Sequence, residues 1–294
     1  MRFAQISALV TGLALVLGSP GASGAEAPFG WQVGPTAWTF NRFTLFEAID
    51  KTASVELGYI EAFEGQRVRP DADLKLHAAL SDEAIQALRA KLDACRVKMP
   101  GIYIHTIPGE EAACRQTFEF ARKLGVQYIV SEPAPESLDV IERCCDEFGI
   151  NVAIHNHPEG KSRYWSPEEA LKVCEGRGPR IGVCADTGHW LRSGLDPSES
   201  VRKLGKRLLT LHLKDLDRAA PDGTDRPWGQ GCGELDQVLR TIRELGLTPA
   251  LFGIEYETNW ENNLPDVVEC AAWFKKTVGA LAAGEAQQAD SGQQ

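Results

Sequence analysis

The chain has no Cys-x-x-Cys pair, no cluster of lysine and arginine, no glycine-rich phosphate-binding loop and, after Leu17, no long apolar run. Each absence narrows the function. Its 31 basic residues are outnumbered by 41 acidic ones, giving a net charge of −10, the wrong sign for a nucleic-acid partner. With no phosphate loop either, a phosphorylated substrate is disfavoured. The eight cysteines fall singly or as the helical neighbours Cys144-Cys145. They read mainly as small core residues, with one or two disulfides left open, because a chain of this length forms a core without staples. No domain linker and no repeat beyond a strand-helix unit interrupts the pattern.

What is present begins with a targeting segment. Arg2 supplies a positive charge, Ala8 to Leu17 an apolar core too short to span a bilayer, and Ser23-Gly24-Ala25 a small-residue cleavage site. The expected mature protein starts at Glu26, is periplasmic or secreted, and has no membrane attachment after cleavage. Mass measurement of exported material should find Glu26 or a near neighbour at the N-terminus, and cytosolic protein retaining Met1 would refute export.

From Trp31 onward strands and helices alternate. β-Branched or apolar runs predict strands at Gln32–Thr39, Gly58–Ala62, Gly101–Ile107, Gln127–Glu132, Asn151–His155, Ile181–Ala185, Leu208–Leu213 and Leu251–Tyr256. Three- and four-residue spacing predicts helices at Leu45–Thr52, Ser81–Cys95, Glu110–Leu124, Leu138–Phe148, Pro167–Cys174, Pro197–Leu204, Leu235–Leu245 and Pro265–Leu281. Eight such units are the number that closes a single α/β (β/α)8 TIM barrel. Residues 1–25 are then a signal peptide, 26–282 the barrel and 283–294 a disordered tail. Two longer connections, Glu64–Leu80 and Asp217–Glu234, are expected to shape a site on the barrel's catalytic face.

The chemistry sits at strand ends. His155-Asn156-His157, Asp186-Thr187-Gly188-His189, His212-Leu213-Lys214-Asp215 and Glu255 each close a strand. Inward residues there are normally apolar, and in a parallel barrel the ends converge, so imidazoles and carboxylates together imply a divalent-metal site. Val183-Cys184-Ala185-Asp186-Thr187-Gly188-His189, His212-Leu213-Lys214-Asp215 and Gly253-Ile254-Glu255 resemble the xylose-isomerase-like TIM-barrel superfamily of sugar isomerases and epimerases. That superfamily includes inosose-dehydratase-like and 3-keto-glycoside lyase-like branches, and the resemblance runs from about Trp31 to Leu281. It implies Asp186, His212 and Glu255 as ligands of one divalent ion and His189 as a substrate contact.

The chain departs from that pattern on its fifth strand, where His155 stands in place of the usual glutamate. Glu132, ending the fourth strand, is therefore expected to complete the ligand set, with His155 as the alternative. Such mixed oxygen and imidazole ligands suit Mn²⁺, Zn²⁺ or Co²⁺, and also admit Mg²⁺. His155 or His157 would move the proton and Lys214 would stabilise oxyanion charge. His105, Trp38 and Glu61 are expected to contact sugar, with bracing of the rim as the other reading of Glu61. Phe40 and Trp190 are further stacking candidates, while His77 and Trp260 are set aside. The expected activity is isomerisation or epimerisation of an unphosphorylated carbohydrate, by proton abstraction beside a carbonyl through a metal-stabilised enediolate. The alternative is β-elimination from a 3-keto-glycoside or keto-inositol. A non-catalytic carbohydrate-binding barrel and an apurinic endonuclease are the other classes. An oligomer is compatible with the sequence and not demanded by it.

Overall fold

Eight short apolar runs become eight parallel strands because each is flanked by an amphipathic helix long enough to cross back over the sheet. A computed structural model of the protein describes residues 28–291, so the expected signal segment lies outside the described residues. In chain order the elements are β1 (Val33–Pro35), α1 (Leu45–Ser54), β2 (Tyr59–Phe63), α2 (Asp82–Cys95), β3 (Lys98–Tyr103), α3 (Glu111–Leu124), β4 (Tyr128–Ser131), α4 (Leu138–Phe148), β5 (Asn151–His155) and α5 (Pro167–Cys174). There follow β6 (Ile181–Asp186), α6 (Thr187–Arg192), α7 (Pro197–Leu204), β7 (Leu208–Leu213), the short strands β8 (Asp215–Leu216) and β9 (Asp225–Arg226), α8 (Leu235–Glu244), β10 (Phe252–Ile254) and α9 (Leu264–Ser291).

The sheet order is β1-β10-β7-β6-β5-β4-β3-β2, all parallel, and a bridge between Thr36 and Glu61 joins its two ends. This is the closed barrel expected. Helix starts follow their caps: Ser81, Ser166 and Asp196 each accept a backbone N–H of the first turn, and Thr44 forms a capping box with Glu47. Gly125 and Gly149 end α3 and α4 in the left-handed conformation. The larger apolar core lies between helices and barrel, and a second, smaller cluster of Tyr128, Val130, Ala153, Cys184 and Leu251 plugs the barrel interior.

Several boundaries differ from the sequence reading: β3 runs Lys98–Tyr103 where Gly101–Ile107 was expected, β10 is shorter at both ends, and the connection after β7 holds the short strands β8 and β9. The first strand stops at Pro35, and Ala37–Phe40 turn into a 3-10 helix, since Pro35 has no N–H to extend a ladder. The segment after Asp186 forms α6, six residues the sequence reading left as connection. The tail expected to be disordered after Ala282 is helical to Ser291. Its Ala, Glu and Gln are good helix formers extending an established helix, and Arg243 Nε anchors Glu285 at 2.7 Å. No helix among the described residues is long and apolar enough to cross a membrane. All eight cysteines are free thiols, with Cys114 and Cys144 sulfurs 3.6 Å apart.

Candidate metal centre

A strand turns alternate side chains to opposite faces, and one parity on seven of the eight barrel strands assembles the site. It runs Tyr59-Glu61-Phe63, Gly101-Tyr103-His105, Tyr128-Val130-Glu132, Ala153-His155-His157, Cys184-Asp186, Thr210-His212-Lys214 and Gly253-Glu255-Glu257. Register sets Asp186 beside His212, His155 beside Cys184 and Gly253 beside His212. The apolar plug therefore lies below, and titratable groups fill the C-terminal end.

His155, Asp186, His212 and Glu255 offer four ligand atoms within 4.8 Å of one another, all buried. His212 Nδ1 is 3.2 Å from His155 Nε2 and 3.1 Å from Glu255 Oε2, and His155 Nε2 is 3.6 Å from Asp186 Oδ2. Ligands held at about 2.0–2.2 Å from one ion sit roughly 3.0–3.5 Å apart around it, so the spacing fits. Asp186 Oδ2 is buried and makes no well-formed hydrogen bond, although Lys214 Nζ lies 3.0 Å away. An orphaned carboxylate oxygen aimed into a ring of donor atoms is what a cation site needs. The other oxygen of Asp186 caps α6 by accepting from His189 N at 2.9 Å. Asn156 fixes the same turn, bonding the backbone N and O of Asp186 at 2.8 and 3.0 Å.

The surrounding groups orient these four. Glu61 Oε1 faces His212 Nε2 at 2.6 Å, so Nδ1 is left to point at the cluster. Its second oxygen accepts from Tyr128 Oη at 2.8 Å. Tyr128 crosses the barrel only because residue 101 is glycine: a Cβ there would lie 2.2 Å from its ring. Glu61 therefore braces the metal cluster, and its oxygens are spoken for, although it also borders the cleft. Lys214 Nζ is surrounded by Asp186, Glu255 at 2.9 Å and Glu257 at 3.4 Å. Gly188 makes room for that stem, since a Cβ would meet Lys214 Cβ at 2.6 Å. Lys214 is thus enclosed by three carboxylates, two of them members of the quartet, and serves as their buried counter-ion.

Electrostatics follow from burial against pairing. Burial would raise Asp186, yet His189, Lys214 and His155 hold it well below the ordinary carboxylate value. Burial likewise opposes Glu255, which His212 and Lys214 pull down to about 2. Burial disfavours charge on His212, but Cys184, Glu255 and Glu61 raise its proton affinity well above an ordinary histidine. The cluster is anionic and calls for cations, so a metal ion entering it would displace the His212 proton.

Glu132 is not among the four. Its Oε1 is paired with His157 Nδ1 and lies 3.5 Å from His155 Nδ1, and its Oε2 accepts from Ser162 Oγ at 2.5 Å. The geometry therefore favours His155, the alternative in the sequence reading: the register sets Glu132 level with it, but both Glu132 oxygens are engaged by His157 and Ser162 while His155 Nε2 faces His212 and Asp186. Glu132→Gln is then expected to weaken metal affinity about 10–100-fold while saturation still reaches full stoichiometry by equilibrium dialysis. Complete loss of binding at saturation would make Glu132 itself a ligand.

A cleft of about 470 Å³ opens above the cluster, lined by His105, His157, His189, Glu61, Glu64, Glu255, Glu257, Tyr103, Phe63 and Trp38 among others. Trp38 stands at its mouth, 42% exposed, donating to Glu257 Oε1 at 3.0 Å and packed edge-on against Phe63 and Trp260. Tyr103 Oη meets His105 Nδ1 at 2.9 Å. Phe40 and Trp190 are fully buried in the core and contact no cleft. Sequence reasoning missed Glu257, Tyr103 and Phe63, each two residues from a residue it named, so strand parity alone would have found them.

A parallel (β/α)8 barrel carrying a buried cluster of imidazoles and carboxylates that could hold a metal at its C-terminal strand ends is the class this architecture defines. Residues 49–277 match the family described as xylose isomerase-like TIM barrel, and the chain belongs to that family. An uncharacterised protein from Parabacteroides distasonis is 32% identical, with a TM-score of 0.68 covering 84% of this chain and 98% of that one. A D-tagatose 3-epimerase-like protein shares the fold at 19% identity, TM-score 0.66, over 86% of this chain and 99% of its own. The rhizopine catabolism protein MocC of Rhizobium meliloti is 34% identical over 89 residues, 29% of this chain. That match spans 26% of MocC, about a quarter of its length.

Proposed function

We propose that the protein is a divalent-metal-dependent sugar isomerase or epimerase acting on an unphosphorylated carbohydrate outside the cytoplasm. The observation that carries this reading is the buried quartet His155, Asp186, His212 and Glu255 with its orphaned Asp186 oxygen. A divalent ion held there would polarise a sugar carbonyl and stabilise charge on the adjacent oxygen. Four glutamates and no lysine or arginine line the cleft, which supports a neutral sugar over a phosphorylated one.

Proton transfer falls to His157 in this reading. Both ring nitrogens of His155 face the cluster and Glu132. His157 gives Nδ1 to Glu132 and its side chain remains 36% exposed on the cleft, leaving Nε2 free to take a proton from carbon. Ser162 fixes the other Glu132 oxygen, so the carboxylate orients and supports the imidazole.

The lyase reading, β-elimination from a 3-keto-glycoside or keto-inositol, stays second on one observation. A single His157–Glu132 pair faces the cleft, and elimination needs one base where inversion at carbon needs a donor on the opposite face. Turnover in D₂O distinguishes them. An isomerase reprotonates carbon and returns a sugar unchanged in mass apart from carbon-bound deuterium; a lyase loses the abstracted proton to solvent, releases a leaving group and leaves an ultraviolet-absorbing keto-sugar. Turnover with neither deuterium on carbon nor a released leaving group overturns both.

A further inference from the structure

Behind His189 lies a second cationic side chain. Arg192 Nη1 is 3.3 Å from Nδ1 of His189. A guanidinium has only donors, so the contact requires Nδ1 to present its lone pair. An uncharged ring accepting at Nδ1 carries its hydrogen on Nε2. That Nε2 is turned toward the quartet, 3.5 Å from Asp186 Oδ2. It is also 3.5 Å from Lys214 Nζ, a donor that would call for the opposite tautomer; the shorter Arg192 contact and the three carboxylates already facing Lys214 favour the Nε2–H form, in which both donors share Asp186.

Arg192 is itself fixed. Its Nη2 donates to Asp225 Oδ1 at 2.8 Å and its Nε to Gly223 O at 3.2 Å, both from the loop and strand that follow β8. Asp225 is buried, and its other oxygen accepts from Glu257 N at 2.6 Å. A planar, bidentate guanidinium suits this junction better than a lysine would.

We propose that Arg192 is a positioning residue: held by Asp225, it keeps His189 as the Nε2–H tautomer. His189 then donates a hydrogen bond to a sugar oxygen beside the metal cluster, and is not a base there. The role on sugar rests on the proposed function, whereas the tautomer does not.

Long-range ¹H–¹⁵N spectra of zinc-loaded, ¹⁵N-histidine-labelled protein test it, with His189 assigned by its disappearance in His189→Gln. The expected spectrum shows Nε2 protonated and Nδ1 bare. Arg192→Met should populate the other tautomer, retain zinc and lower kcat about 10–100-fold with a smaller change in KM. Arg192→Lys, which keeps one donor, should recover part of both losses. If Arg192→Met does not fold, Asp225→Asn is expected to move spectrum and kcat in the same direction by less. A protonated Nδ1 in the unmodified protein overturns the proposal, as do folded variants whose spectrum and kcat are unchanged. Because the spectrum reads the tautomer with or without turnover, failure of this assignment is distinguishable from failure of the proposed reaction.

Discussion

Asp186→Asn protein is expected to fold, to retain no stoichiometric divalent metal after dialysis, and to turn over sugar about a thousandfold more slowly. The amide can still accept from His189 N, so α6 keeps its cap. What disappears is the anionic charge on the oxygen that faces the quartet, which makes no well-formed hydrogen bond and has Lys214 Nζ at 3.0 Å as its nearest cation. A thousandfold loss corresponds to about 4 kcal/mol, the order of charge stabilisation a bound cation supplies at a developing oxyanion. The new amide donor facing Lys214 adds a stability cost of about 1–3 kcal/mol, small enough to leave the barrel standing. Metal content by elemental analysis and turnover on the same sample decide it. Full occupancy and full activity together would remove Asp186 from the metal site.

The second large effect concerns Lys214→Met. Methionine fills much of the same volume but leaves Asp186, Glu255 and Glu257 converging without the ammonium that now lies 3.0, 2.9 and 3.4 Å from them. Breaking a buried pair on one side costs about 3–5 kcal/mol, and that loss is expected at neutral pH. In the unmodified protein Glu255 is held at about 2, below its ordinary 4.5. Its contribution is therefore complete above about pH 4.5 and is lost as pH falls toward 2. Without Lys214, Asp186 and Glu255 lose one of the charges that hold their carboxyls low and keep protons to higher pH than in the unmodified protein, so the variant's deficit should grow as pH rises out of the acid range. Urea midpoints at pH 3 and pH 8, with unchanged slopes, measure this. A divalent ion at about a hundredfold its Kd should return about 2.7 kcal/mol by mass action. Equal midpoints for the two proteins at pH 8 would show that the ammonium compensates nothing.

The site was partly legible because parity is local. His155, Asp186, His212 and Glu255 are each at the end of an apolar run, and the pleat requires alternate residues to share a face. The same rule placed His105 and His157 near the mouth, whereas His189, on α6, was named from the family resemblance. It could not say that Glu61 would reach across to His212, since those residues are 151 positions apart and meet only when the barrel closes between β1 and β2. Nor could it rank Glu132 against His155: both sit level on adjacent strands with the correct parity, and only the side-chain partners, His157 and Ser162 for Glu132, separate them.

Sequence by itself determined the eight strand-helix units, the capped starts of their helices and the imidazoles and carboxylates that end the strands. These follow from hydrophobic period, side-chain capping and composition, which act over a few residues. Only the tertiary structure decided that Ala37–Phe40 turn away from the ladder and carry Trp38 to the cleft mouth. It also decided that Lys214 is enclosed by three carboxylates and that Arg192 meets His189 through Asp225. Each of those outcomes depends on strand register, barrel closure and the path of the loop after β7. They are long-range constraints, and the pattern of any one segment does not contain them.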